Sequence, residues 1–323
     1  MKERNIGIDI IKCLAALLIT NSHFDILYGK YSFLSSGGCF GDALFFFCSG
    51  FTLFLKPIGD IKQFPNWYKR RINRIYPSVF AIAIIACFIF DVHWDIVDIL
   101  FTKRYWFISC IMLYYIAIYF IGHYLKNYLL LTSLIIFIFT CFWFTFVYQE
   151  IGFTLYGGHK IRWLLFFDVM LMGATIGSHN QQIKCNLIPD NILLIINIIT
   201  FYVLYIYGIK HHNLAYLQLL SFFPLLGTLF FLYKICNSKW VKKIFDNIYF
   251  YFIIRFIGGL CLEIYLVQQF LISDSMNHLF PFNIVLTFIL IILGAYITRC
   301  FAIFISQTFK DSPYDWTAIT NKY

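Results

Sequence analysis

Charge is what this sequence lacks. Only 13% of its 323 residues are Asp, Glu, Lys or Arg, while 61% are hydrophobic and the mean hydropathy is +0.75. A soluble domain carries about 25% charged residues, so this chain cannot clothe a water-facing surface, and a soluble globule is excluded. Paired cysteine motifs are missing too. The ten cysteines stand singly, mostly inside apolar runs, with no CxxC and no His/Cys cluster. They read as small buried hydrophobes rather than a disulfide frame or a zinc site, so no metal is expected. No small-residue cleavage site follows the first apolar segment, which ends in NSHFD, so it is read as a retained helix and not a signal peptide. No linker, composition shift or internal repeat interrupts the chain, and residues 1–323 are expected to form a single integral-membrane domain.

What the chain has instead is long apolar runs. YLLLTSLIIFIFTCFWFTFVY is long enough to cross a ~30 Å hydrocarbon core, which takes about 20 residues. The expected fold class is all-α: a polytopic transmembrane helical bundle of about ten spans. The expected spans are 6–27, 41–56, 77–92, 105–122, 127–147, 162–178, 190–209, 216–235, 250–272 and 284–305. With a cytoplasmic N-terminus, most Lys and Arg outside the spans face inward, among them Lys2, Arg4, Lys69, Arg70, Arg71, Arg74, Lys126, Lys310 and Lys322. Lys30, Lys103, Arg104, Lys160, Arg162 and Lys210 fall on the other side. This bias puts both termini in the cytoplasm. It also accounts for the net charge of +9, through basic loops on anionic lipid, so membrane lipid is an expected partner and nucleic acid is not. The chain ends shortly after the last expected span, so its chemistry is expected inside the bundle.

Lys12, Arg255 and Arg299 lie within expected spans, where charge is costly and marks a candidate functional site. In KCLAALLITNSHFD, Lys12 and His23 are eleven residues apart. At about 100° per residue this is three turns plus about 20°, so both project from one face, about 16 Å apart along the axis. Asp9, Ala16 and Thr20 share that stripe, which suggests the lining of an interior cavity. A blander reading stands beside it: Asp9 and Lys12 as a local pair at the inner interface, with His23 at the outer one.

In GDALFFFCSGFTLFLK, Asp42, Ser49, Thr52 and Lys56 again share one helical face, with Asp42 at about the depth of His23, where a carboxylate would orient an imidazole. WYKRRINRIYP sets Lys69, Arg70, Arg71 and Arg74 before an expected proline-started third span. These cations suit either lipid phosphates or a polyanionic cytoplasmic ligand. Arg255 and Glu263, eight residues apart in the ninth span, read as an ion pair with other spans or as substrate contacts. Arg162 and Asp168 share no face, and His211 and His212 have no ligand motif around them.

Lys12-x10-His23, GDALFFFCSGF at 41–51, RRINRIYP at 70–77, RYWFISCIMLYY at 104–115 and LEIYLVQ at 262–268 occur in the order and spacing of the membrane acyltransferase-3 family, which the chain resembles over nearly its whole length. The resemblance implies transfer of acetyl or another short acyl group from cytoplasmic acyl-coenzyme A to hydroxyls of a glycan or lipid-linked sugar, in a bacterial inner membrane. It implies His23 as the catalytic histidine, either base or acyl carrier, beside which the helical-depth reading sets Asp42 as a further catalytic candidate. Lys12, Arg71, Arg74 and Ser49, which match family motifs, are expected to bind acetyl-coenzyme A; Trp106 of the matched aromatic pair, with the in-span Glu263 and Arg255, is expected to contact the acceptor. Two positions depart from the family pattern: lysine stands for arginine at Lys12, and Gln268 stands where many relatives carry histidine. A transporter or flippase, or a catalytically silent scaffold, is the alternative reading of polar faces in a helical bundle. The oligomeric state is not legible.

Overall fold

The computed structural model describes residues 5–148, 153–179, 183–245, 247–309 and 313–320, and among them the chain is helical with no strand. The cations Lys2, Arg4, Lys310 and Lys322 lie outside the described residues. An all-helical build is what an apolar chain requires in lipid, because a helix satisfies its backbone N–H and C=O groups within one segment. The principal helices are α1 (Ile6–Asn21), α2 (Asp25–Tyr28), α3 (Gly38–Phe54), α4 (Phe64–Phe90), α5 (Trp106–Tyr124) and α6 (Leu129–Val147). They are followed by α7 (Arg162–His179), α8 (Leu187–Lys210), α9 (Phe222–Cys236), α10 (Ile248–Gly259), α11 (Cys261–Leu271) and α12 (Phe282–Thr308).

Among the described residues six helical stretches are long and apolar enough to cross a membrane: Ile61–Phe90, Trp106–Tyr124, Lys126–Val147, Leu187–Lys210, His212–Cys236 and Phe282–Thr308. Counting each of two bent pairs as one span raises the number to eight. The expected spans 41–56 and 162–178 coincide with α3, which is 17 residues long, and α7, which carries Arg162 and Asp168; neither is in that set.

Three expected spans differ in shape from their sequence reading. The first is broken: α1 stops at Asn21 and the chain bends by 62° into Asp25–Leu34. The ninth is broken as well, with α10 and α11 bent by 68° around Leu260. Gly258 and Gly259 stand just before that break, a pair that weakens helix continuity. The third does not start at its proline. α4 runs unbroken from Phe64 with Pro77 inside it. A proline there removes one hydrogen bond to the carbonyl four residues back. That carbonyl belongs to Asn73, an exposed residue, so water or headgroups can satisfy it.

The chain divides into two compact units. The first comprises Met1–Ile11, Asp42–Gly59 and Ile118–Tyr251. In it α3 and α7 approach closely through glycine: a Cβ on Gly50 would strike the Met170 carbonyl, and one on Gly173 the Phe47 carbonyl. Small residues at such crossings are the usual means of helix association in lipid. Phe47 and Phe51 pack on Tyr233, with ring centroids 5.7 and 5.4 Å apart. Lys234 on α9 meets Asp190 on α8 at 2.7 Å.

The second unit comprises Lys12–Gly41, Asp60–Ala117 and Phe252–Tyr323. In it α4, α11 and α12 pack on one another. α12 buries Asn283, Thr287, Ile291, Ala295, Thr298 and Ala302, a stripe at three- and four-residue spacing, and leaves its other faces apolar. Glu263 on α11 ties the three helices together. One of its carboxylate oxygens accepts hydrogen bonds from Ser78 of α4 at 2.6 Å and from Arg299 of α12 at 3.1 Å.

Candidate functional site

Most sequence-predicted site residues fall in the second unit, at two places along α1. The first is a charged cluster. Lys12, half-buried on α1, Arg74, exposed on α4, and Glu263, fully buried on α11, each lie within electrostatic reach of the Cys261 thiol. A buried carboxylate is costly unless paired and hydrogen-bonded, and Arg299 and Ser78 supply both. Glu263 thus matches the reading of an ion pair with another span, with the in-span cation Arg299 as its partner. One turn before Arg74, Arg71 lays its guanidinium 4.4 Å from the Trp67 ring centroid and 6.0 Å from that of Tyr115. A cation over an aromatic face gains about 0.5–2 kcal/mol and keeps its N–H fork available to a phosphate. The cluster therefore combines fixed cations with an aromatic bed, the chemistry that a polyanion with an organic body requires.

The second place is the bend that carries His23. α1 keeps its helical phase to Asn21, so Asp9, Ala16 and Thr20 lie on one face as expected, and all three are buried. After Asn21 the chain tightens: the His23 N–H donates to the Thr20 carbonyl at 3.1 Å and the Phe24 N–H to the Asn21 carbonyl at 3.0 Å. His23 therefore stands in an exposed turn beyond the helix rather than on its stripe. Asparagines hold this turn. The Asn21 amide donates to the carbonyls of Leu34 (2.9 Å) and Ser36 (3.0 Å), and its oxygen accepts from Tyr28 Oη at 2.7 Å. From the other side, Asn283 Nδ2 donates to the Leu27 carbonyl at 3.1 Å and Asn277 Nδ2 to the Ile26 carbonyl at 2.9 Å. The carboxylate within electrostatic reach of His23 is Asp25.

The remaining predicted residues are spread more widely. Asp42 and Ser49 lie half-buried on α3, and the cation within electrostatic reach of Asp42 is Arg162 at the start of α7. Trp106 opens α5, its ring 6.0 Å edge-on from that of Phe107, which in turn packs on Tyr265 of α11 at 5.6 Å. Arg255 is half-buried on α10, across the Leu260 break from Glu263, so the two do not share one continuous helix. Asp168 accepts from Ser133 at 3.0 Å. His211 packs on Tyr207 and His212 on Tyr148, at 4.2 and 6.1 Å between ring centroids. Among the described residues no group of His, Cys, Asp and Glu could hold a metal ion. A cavity of ≈ 520 Å³ in the first unit, lined by Lys126, Asn127, Thr175, Ser178 and His179 among others, holds none of the predicted residues.

Sequence reasoning missed Ser78, Asn21, Asn277 and Asn283. Nothing local distinguishes them, because each acts on a partner outside its own helix; Asn21 reaches 13 and 15 positions ahead, and Ser78 and Glu263 are 185 positions apart.

Comparison with known proteins returns one family. A model described as an acyltransferase domain, that of the acyltransferase-3 family, matches residues 5–305, which takes in both the charged cluster and the His23 bend. No curated protein and no solved structure matches.

Proposed function

The chain belongs to the acyltransferase-3 family, and on that premise we propose that it is an integral-membrane O-acyltransferase moving an acyl group, acetyl foremost, from cytoplasmic acyl-coenzyme A to a hydroxyl of a cell-surface or exported glycan. The observation that carries this reading is the pairing of a cationic group, Lys12 on α1, with an imidazole, His23, in the turn that directly follows that helix. Ala16 and Thr20, on the face between them, are buried, and the imidazole is held on an asparagine-braced turn. Phosphates of the donor would be held by Lys12, Arg71 and Arg74, and its reactive end would extend toward His23. We place the protein in a bacterial inner membrane, with both termini and the basic end of α4 facing the cytoplasm, on the excess of Lys and Arg in the inward-facing segments of the sequence.

The chemistry asks little more of the chain than a base in position. As the acceptor oxygen attacks the thioester carbonyl, the His23 imidazole takes the hydroxyl proton. The C–S bond breaks, and the imidazolium returns that proton to the leaving thiolate. A positioned base of this kind contributes roughly 10²–10⁴-fold. Asp25 is placed to favour the transient imidazolium, and Asp42 is the second carboxylate proposed at this depth. His23 as an acyl carrier would use the same position with the acyl group passing through the imidazole nitrogen.

The test is release of free coenzyme A from acetyl-coenzyme A by the purified protein, with and without a glycan extract, together with the acyl content of the glycan by mass spectrometry. Glycan-dependent release with matching acyl gain is expected. Solute movement without thioester consumption would replace the reading with a transporter.

A further inference from the structure

The first unit holds a cavity that the acyl-transfer reading does not use. Its volume is ≈ 520 Å³, within the range of about 300–1,000 Å³ found for ligand sites. It lies where the stretch leading into α6 meets the end of α7. Lys126, Asn127 and Tyr128 line it from the first, and Thr175, Ser178 and His179 from the second. The stretch Lys126–Val147 has 22 residues. At about 1.5 Å per residue it spans about 33 Å, enough to cross a ~30 Å hydrocarbon core. Lys126 therefore stands at one edge of that core, at the depth of lipid phosphates.

The lining selects an anion. Lys126 and His179 are exposed, and no residue lining the cavity is acidic. The Ser178 and Thr175 hydroxyls donate to the carbonyls of Thr175 and Leu171, at 2.8 and 2.9 Å, which leaves their oxygens as acceptors. His179 Nδ1 lies 2.8 Å from the Thr175 carbonyl. A carbonyl only accepts, so Nδ1 carries a proton and Nε2 is the ring nitrogen left for a ligand, a donor in the imidazolium form. The rim is apolar. Leu130 and Leu131 line the cavity and are exposed, and the exposed Leu134, Ile135 and Ile138 continue that face along α6. A soluble phosphate ester has no use for such a face, whereas acyl chains do.

We propose that this cavity binds the headgroup of an acidic phospholipid, a phosphodiester bearing glycerol, with the acyl chains laid along the exposed face of α6. The phosphate takes Lys126, Asn127 and His179 as donors, and the glycerol hydroxyls donate to the oxygens of Thr175 and Ser178. A zwitterionic ethanolamine headgroup would bring an ammonium for which the lining offers no carboxylate. This is a site for one lipid, unlike the general attraction of basic loops to an anionic leaflet, which needs no cavity. The inference goes beyond the acyltransferase reading and does not rest on it.

Native mass spectrometry of the detergent-purified chain tests this. Wild type, Lys126→Gln, His179→Gln and Lys243→Gln are titrated with dioleoyl phosphatidylglycerol and with dioleoyl phosphatidylethanolamine, with and without glycerol 3-phosphate, and are melted without added lipid. Lys243, exposed on the basic helix Lys239–Ile244, is not among the residues lining the cavity and reports general attraction. The wild type should hold phosphatidylglycerol about tenfold more tightly than phosphatidylethanolamine. Lys126→Gln should weaken phosphatidylglycerol about tenfold, the effect of one lost charge-assisted hydrogen bond, and His179→Gln about threefold. Lys243→Gln should leave binding as it was, and the lipid-free melting temperatures should match wild type. Equal affinity for the two lipids, unchanged affinity in Lys126→Gln or His179→Gln, an equal loss in Lys243→Gln, or a lipid-free melting temperature that falls with the binding loss overturns the inference. Displacement of the lipid by glycerol 3-phosphate overturns it too, making a soluble phosphate ester the occupant.

Discussion

The two ends of α1 are held by different chemistry. Around Lys12 side-chain charge does the holding: one oxygen of Glu263 takes Ser78 and Arg299, the other has no hydrogen-bond partner, and Arg71 lies on Trp67 and Tyr115. Around His23 amide side chains do it, with Asn21, Asn277 and Asn283 clamping the backbone of the bend. Charge in an apolar bundle is costly to expose or strand, so the first end is the more sensitive in stability, whereas a neutral braced turn leaves the imidazole free for chemistry.

The largest expected effect lies at the His23 end. His23→Ala should lower acyl transfer by about 10²–10⁴-fold while the protein remains in the membrane at wild-type yield. Coenzyme A release from detergent-purified protein checks this, and transfer within tenfold of wild type would remove His23 from the mechanism. Next comes the charged end. Glu263→Ala would remove the carboxylate that meets Arg299, and breaking a buried pair costs about 3–5 kcal/mol. Because the Arg299 side chain keeps 29% exposure, the low end of that range is expected, read as a lowered melting temperature, with Glu263→Gln retaining more stability by keeping a hydrogen-bond acceptor for Ser78. A melting temperature equal to wild type in Glu263→Ala would erase the contrast between the two ends.

Smaller effects divide the cations by task. Arg74→Ala should raise the KM for acetyl-coenzyme A about tenfold with little change in kcat, since loss of one charge-assisted contact to a phosphate is worth about 1.5–3 kcal/mol at most. An unchanged KM would assign Arg74 to lipid headgroups. Arg71→Lys keeps the charge and gives up the planar stack on Trp67, so a loss of about 0.5–1 kcal/mol in stability is expected from thermal unfolding.

Helical phase was legible where the helix is continuous. The stripe Asp9, Ala16 and Thr20 lies buried on one face of α1 as the 3.6-residue period requires. The same arithmetic carried two residues too far to reach His23, because the chain leaves the helix after Asn21 with no proline or glycine to announce it; the break is held by Asn21 bonding the backbone of Leu34 and Ser36. The Leu260 break had a visible signal in Gly258 and Gly259, yet it was the apolar run around them that suggested one span. Pro77 misled in the other direction: its freed carbonyl, on an exposed residue, is tolerated, and α4 continues through it.

Composition alone decided that this is an apolar helical membrane chain, and five short motifs in order were enough to indicate the family whose model covers residues 5–305. Both are sums over local features, which is what a linear sequence records. Only the tertiary structure decided which in-span cation meets Glu263 and where the His23 turn is braced. Those outcomes depend on contacts between residues as far apart as Leu27 and Asn283, 256 positions along the chain. A donor and acceptor at such separation carry no shared periodicity, so their meeting is fixed by packing and not by pattern.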